Sequence, residues 1–378
     1  MALSAPIFWA TPEQPPERAL MPKRRAAAPA EETPPEIREL VDPAAAGPEE
    51  RDADPAQRPR SLSEFVGQPE AARHLATYVA AAKARGEALD HVLFSGPPGL
   101  GKTTLAHVVA EEMGWGFVPV SGPAIARVGD LAAVLMSMGE RTVVFIDEVH
   151  RLPKVATELL YTAMEDCRLD LLVGEGTQAR SVRLPLPRFT LVAATTRPGM
   201  LPRPMLDRFG IALRLEYYGI DDLTKIVGRS AALLGMTGTP EAWRTIAERG
   251  RGTPRVAKRL LRRVRDFAHA TGTACLTPAF VGAALDDLGV DPSGLDATDR
   301  RYLATLGGPF RGGPTGIQTL AAATGDDPEI LEGSVEPYLM ARGLLSRTPR
   351  GRMLTPDGWA ASGHARPSAS AGPLFSAV

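Results

Sequence analysis

Residues Gly96-Pro-Pro-Gly99-Leu-Gly101-Lys102-Thr103 match G-x-x-x-x-G-K-[ST] at every fixed position. Glycines at those places let a backbone turn tightly and aim N–H groups at phosphate oxygens, and a helix after the loop adds its positive end. Lys102 supplies a point charge for β and γ phosphates, and Thr103 a hydroxyl for Mg²⁺. A second acidic signal follows in Val143-Val-Phe-Ile146-Asp147-Glu148-Val-His150. Asp147 suits the outer coordination of Mg²⁺, and Glu148 suits the activation of an attacking water. His150 has no second His or Cys beside it in the sequence, so packing or hydrogen bonding is favoured over metal ligation.

The elements around these residues are readable from apolar spacing. His91-Val-Leu-Phe-Ser95 is of buried-strand type, and Leu105-Ala-His-Val-Val-Ala-Glu-Glu112 has helical spacing. Strands are predicted at 117–121, 143–146, 189–197 and 211–215, and helices after Pro69, over 130–138 and over 156–166. Strands of this continuous apolar kind are buried on both faces in a parallel sheet, whose carboxyl ends gather ligands. Both acids therefore arrive where the phosphates would lie. Thr195, Thr196 and Arg197 end another such strand, where they either address the γ-phosphate and lytic water or simply cap the strand. Arg208, in Met205-Leu-Asp-Arg-Phe-Gly210, either forms an ordinary surface pair or reaches a neighbouring subunit's nucleotide.

The segment 169–186 alternates around Gly174-Glu-Gly176 and reads as a β-hairpin. Its apolar residues Leu169, Leu171, Leu172 and Val173 favour a core role over a docking ridge. Residues 219–289 are helical in pattern, a small all-α domain. Arg255 follows Pro254 at a helix start, where it can sense phosphate, and Arg259, Arg262, Arg263 and Arg265 are expected on that helix's exposed face. Residues 290–362 read as helices followed by a short strand pair, the pattern of a helix-turn-helix with a wing. Arg342, Arg347, Arg350 and Arg352 crowd there, suited to phosphate contacts that position without reading sequence.

Composition sets the remaining bounds. The chain has 378 residues and a net charge of −1, so any nucleic-acid surface is local. Cys167 and Cys275 are its only cysteines, with no C-x-x-C, as expected of a reducing cytosol. The first residues show no signal-peptide pattern and no apolar run is long enough to span a membrane, so a cytoplasmic location is expected. Residues 1–57 are Pro- and Ala-rich, acidic in their second half, and read as a disordered extension, as do 363–378.

In this order, the phosphate loop, Phe145-Ile-Asp-Glu-Val-His150, Ala194-Thr-Thr-Arg197, Asp207-Arg-Phe-Gly210 and Arg251-Gly-Thr-Pro-Arg255 resemble the AAA+ ATPases. Longer strings, Tyr161-Thr-Ala-Met-Glu-Asp-Cys-Arg-Leu-Asp170 and Glu336-Pro-Tyr-Leu-Met-Ala-Arg-Gly-Leu-Leu-Ser-Arg347 among them, are similar to the RuvB family of branch-migration motors over about residues 58–355. The resemblance implies an α/β fold: a P-loop ATPase core over 58–218, an all-α lid over 219–289 and a winged helix over 290–362. It implies ATP and Mg²⁺ as cofactors, with Gly99, Gly101, Lys102, Thr103 and Thr104 on the nucleotide and Thr103 and Asp147 at the metal. It further implies a pocket lined by Arg58, Glu165, Asp166, Cys167 and Tyr218, sensors at Thr195, Thr196 and Arg255, and a finger, Arg208, lent in trans within a homohexamer. Arg347 and Arg352 match DNA-touching wing positions. Duplex arms of a Holliday junction, RuvA on the 169–186 hairpin (against the core reading) and RuvC are the implied partners. A clamp or helicase loader is the alternative. The chain departs from the family pattern at Gln57, at Cys167 in place of an aromatic residue, and at Leu206 in place of an arginine, where either Arg203 compensates or a secondary contact is lost.

Overall fold

The computed structural model describes residues 58–173 and 180–367. The two terminal extensions, apart from a few flanking residues, and the hairpin turn at 174–176 lie outside them. Five strands, β1 (Val92–Ser95), β2 (Gly116–Ser121), β3 (Thr142–Asp147), β6 (Phe189–Thr195) and β7 (Ile211–Arg214), form one sheet in the order β2-β3-β6-β1-β7. Every pairing in it is parallel. Between β3 and β6 the chain makes the antiparallel pair β4 (Arg168–Val173) and β5 (Arg180–Pro185).

The period-2 alternation of strand side chains divides the sheet's apolar residues between two cores. Val92, Phe94, Val143, Phe145, Val192 and Ala194 enter one, beneath helices Pro69–Arg85 and Lys102–Met113. Leu93, Val144, Ile146, Leu191 and Ala193 enter the other, beneath helices Val128–Ser137 and Lys154–Asp166. That is why these strands read as unbroken apolar runs. Leu169 of β4 is fully buried in the second core, and Leu171 and Leu184 pack on it, so Leu169 at least serves the fold.

The helical domain comprises helices Ile220–Leu233, Pro240–Glu248, Pro254–Thr271 and Pro278–Asp287. Three of the four start with Thr-Pro; Thr239 and Thr277 accept from the N–H groups of Ala242 and Phe280, satisfying donors that the helix itself cannot. Its Leu223, Val227, Leu260, Leu261 and Val264 join the first sheet core, which fixes the start of helix Pro254–Thr271 against the phosphate loop. The third unit has its own core around Tyr302, Leu306, Leu320, Leu331 and Leu339. Helices Ala297–Gly307 and Ile317–Thr324 precede a segment, Pro328–Ala341, that contains the π-helical turn Leu331–Val335. Strands Leu345–Thr348 and Gly351–Leu354 then form the wing. Among the described residues, no helix is long and apolar enough to cross a membrane.

Candidate nucleotide site

β1 ends at Ser95 and the chain turns at Gly96, where φ is 140° and a Cβ would stand 2.5 Å from the Leu215 carbonyl oxygen. Gly99, at φ 79°, brings the loop against the second domain: a Cβ there would lie 3.0 Å from that of Arg255, whose N–H points at the Gly99 carbonyl at 3.4 Å. Only glycine fills both positions without strain. Lys102 opens the following helix and is 7 % exposed, its ammonium donating to the carbonyls of Gly96 and Pro97, each at 2.9 Å. Burial lowers its pKa, and Arg255 pushes the same way; Asp147 and Glu148 pull against them. A polyanion beside Lys102 would favour its charged form.

One open cleft is lined by Arg58, Pro98, Gly99, Gly101, Lys102, Thr103, Thr104, Asp147, Glu148, Pro254, Arg255, Lys258, Arg259 and Arg262. Nine residues singled out from the sequence thus come together around it. Lys258, Arg259 and Arg262 join them on the face of helix Pro254–Thr271 that carries Arg255; Arg259 is exposed, as expected of it, but on the face that borders the cleft. Spacings of three, four and seven from Arg255 put all three on its face, which was the available signal. The crowding is felt at Lys258, whose pKa is lowered by burial and then by Arg262, Arg229 and Arg58. A site so rich in cations is built for a polyanion.

Asp147 and Glu148 reach the cleft from the end of β3. Glu148 has a left-handed backbone, φ 46°, uncommon outside glycine. Its Oε2 accepts from the N–H of Thr196 at 3.2 Å and from the Thr196 hydroxyl at 3.0 Å. His150 Nδ1 lies 3.1 Å from the same oxygen and 3.0 Å from Thr195 Oγ1. His150 therefore has the hydrogen-bonding role expected of it, and Thr195, fully buried, is turned toward His150.

Other predicted residues are placed elsewhere. Tyr218 is buried under the loop, donating to the Leu100 carbonyl at 3.0 Å, and burial raises its pKa. Glu165, Asp166 and Cys167 do not line the cleft; they end helix Lys154–Asp166 beside Arg208 and Arg168. Arg208 Nη2 is 2.8 Å from Glu165 Oε1, its guanidinium lies 4.6 Å from the Tyr161 ring centre, and it too is outside the cleft. Leu206 packs against the sheet core and Arg203 is exposed. Arg352, expected as a DNA contact, is 7 % exposed; its guanidinium is taken up by Glu336 Oε1 at 2.8 Å and Glu332 Oε1 at 2.6 Å. In this structure Arg352 neutralises the fully buried Glu336, so contact with DNA would require these ion pairs to open. Arg347 and Arg350 remain exposed on the wing.

Residues 57–215 match the profile described as the Holliday junction DNA helicase RuvB P-loop domain, 218–291 the RuvB AAA lid domain, and 292–362 the RuvB C-terminal winged helix domain. The chain belongs to the RuvB family. A solved structure of Thermotoga maritima RuvB, titled a Holliday junction branch migration motor, is 42% identical over 82% of this chain and 99% of its own, with a TM-score of 0.75. A proline-to-glycine variant of that RuvB is 43% identical over 81% of this chain and 99% of its own, with a TM-score of 0.76.

The donor set also fits the cofactors that this family implies. Among the described residues no group of three or more His, Cys, Asp and Glu could cage a metal ion. Mg²⁺ held by phosphates, waters and one or two protein oxygens needs no such cage, and Thr103 and Asp147 both line the cleft.

Proposed function

We propose that this RuvB-family chain is an ATP-driven DNA translocase that migrates Holliday junctions as a homohexameric ring. The carrying observation is the division of the catalytic set. Lys102, Thr103, Asp147, Glu148 and Arg255 share one cleft, whereas Arg208 stands outside it beside Glu165. A cleft without its own arginine finger is completed by a neighbour.

Mg²⁺, when bound with the nucleotide, would offset the charge that develops on the phosphates. Lys102 would hold the β and γ phosphates, Thr103 and Asp147 the metal, and Thr104, Arg58, Gly99 and Gly101 would complete the cradle. Glu148 takes a proton from the attacking water, held meanwhile by Thr196. Arg255, Lys258, Arg259 and Arg262 lie on the lid, so loss of the terminal phosphate alters what holds the lid to the core. Glu165, Asp166, Cys167 and Tyr218 act at the rim or beneath the loop.

Duplex DNA meets the exposed Arg347 and Arg350 of the wing, and lid movement carries the wing along it. RuvA docks on the hairpin 169–186, whose Leu169 belongs to the core, and RuvC joins at the junction for resolution. The test is ATP-dependent migration of a synthetic four-way junction, with and without RuvA, by this chain and by Lys102→Ala. Migration by the natural chain alone is expected; equal performance of the two proteins overturns the reading.

A further inference from the structure

Glu332 lies in the π-helical turn Leu331–Val335, a distortion that recurs at functional sites. Its carboxylate serves three arginines from two domains. Oε1 is 2.6 Å from Arg352 Nη2 and 2.8 Å from Arg347 Nη2 in the wing; Oε2 is 4.0 Å from Arg197 Nη2 in the ATPase core. Arg197 directly follows Thr196, whose N–H and hydroxyl hold Glu148. A path of ion pairs, one chain step and hydrogen bonds thus runs from the wing through Arg197 and Thr196 to Glu148.

We propose that Glu332 is a positioning residue for hydrolysis, tying Thr196-Arg197, just past β6, to the wing so that DNA on Arg347 resets Glu148. This rests on the motor reading above.

The three arginines are not equivalent. Arg352 is buried and also held by Glu336, so it stays. Arg347 has half its side chain exposed, 51 %, and is the one able to turn outward. A DNA phosphate and the Glu332 carboxylate present the same planar guanidinium with the same kind of oxygen, so they compete for Arg347. When phosphate takes Arg347, Glu332 is left with less positive charge on its wing side and turns more strongly to Arg197. Its half-buried position, 26 % exposed, keeps that attraction from being fully screened. The pull falls on the segment just past β6, whose Thr196 bonds set the Glu148 carboxylate. Arg197 already acts electrostatically on this centre: its charge is among those lowering the pKa of His150, after burial. The same stretch of chain meets the phosphate loop elsewhere, since Gly333, Ser334 and Pro337 line a cavity with Pro97, Pro98 and Gly99.

The test uses the full chain, Glu332→Gln and Arg197→Ala, with duplex DNA binding measured by anisotropy and ATP hydrolysis measured with and without DNA. Glu332→Gln is expected to bind DNA as well as the natural chain or more tightly, since one negative charge beside the wing is gone. Its DNA-stimulated rise in kcat is expected to shrink by about fivefold or more, with KM for ATP unchanged. Arg197→Ala, which leaves the wing intact, is expected to lose the same stimulation. Glu332→Gln losing DNA binding in step with stimulation, while Arg197→Ala keeps both, reduces Glu332 to a wing support and overturns the proposal. Stimulation retained in both variants also overturns it, and alone. Absence of any DNA response in the natural chain overturns it together with the motor reading.

Discussion

The Thr196 hydroxyl and N–H both donate to Glu148 Oε2, at 3.0 and 3.2 Å, each residue lying just past the end of one of two paired strands, β6 and β3. Such bonds hold the carboxylate in one rotamer without contributing to the phosphate cradle, since Thr196 is absent from the cleft lining. Thr196→Val removes the hydroxyl bond and nearly preserves shape. A hydrogen bond to a charged group is worth about 1.5–3 kcal/mol, so kcat should fall roughly tenfold to a hundredfold. KM for ATP should change little. Steady-state hydrolysis decides it, and a kcat within twofold of the natural chain would deny Thr196 this function.

Arg208 predicts complementation. In Arg208→Ala the cleft keeps Lys102, and in Lys102→Ala the finger is intact; each alone should be slowed by about 10³ or more. Mixed before assembly, the two should recover hydrolysis, because some interfaces join a sound cleft to a sound finger. Activity no greater than the sum of the separate proteins would mean that Arg208 does not act across subunits.

His107, on the helix after the phosphate loop, stacks on Phe117 with ring centres 3.7 Å apart. Burial, and secondarily Arg58, lowers its pKa to about 4. A folded-state pKa below the unfolded value of about 6.5 means that the unfolded chain takes up the proton first. Stability from this group is therefore complete above pH 6.5 and lost as pH falls toward 4. Allowing for solvent screening of a partly exposed ring, the loss is on the order of 1–2 kcal/mol. His107→Gln should flatten the dependence of denaturation midpoint on pH between 6.5 and 4 relative to the natural chain. Parallel curves for the two proteins would refute the assignment.

Strands β1, β3 and β6 were legible in the sequence because both faces of each are buried, and Asp147 and Glu148 because a strand end fixes where they emerge. Lys258, Arg259 and Arg262 were not, since a cationic helix face looks the same whether solvent or a phosphate cleft lies before it; the packing of the lid on the sheet core decides that. The pairing of Glu165 with Arg208 was invisible for a related reason, as the two are 43 residues apart in sequence and 2.8 Å apart in space. The ion pairs of Arg352 are tertiary too: nothing local indicates that Glu336 is fully buried behind it.

That pairing separates two arginines two residues apart. Arg352→Ala would leave the Glu336 carboxylate buried, with only the Tyr302 hydroxyl at 2.9 Å still donating to it. Removing one partner of a buried ion pair typically destabilises by about 3–5 kcal/mol, so the winged domain should melt markedly earlier. Arg350 is exposed at the tip of the wing, beside Gly351. Arg350→Ala should leave the melting temperature unchanged and weaken DNA binding, reducing the slope of log K against log salt by about 1. Calorimetry and a salt titration of duplex affinity distinguish the two roles. If Arg352→Ala instead kept its melting temperature and lost salt-dependent affinity, Arg352 would be a phosphate contact and its bonds to Glu332 and Glu336 would have to open on DNA.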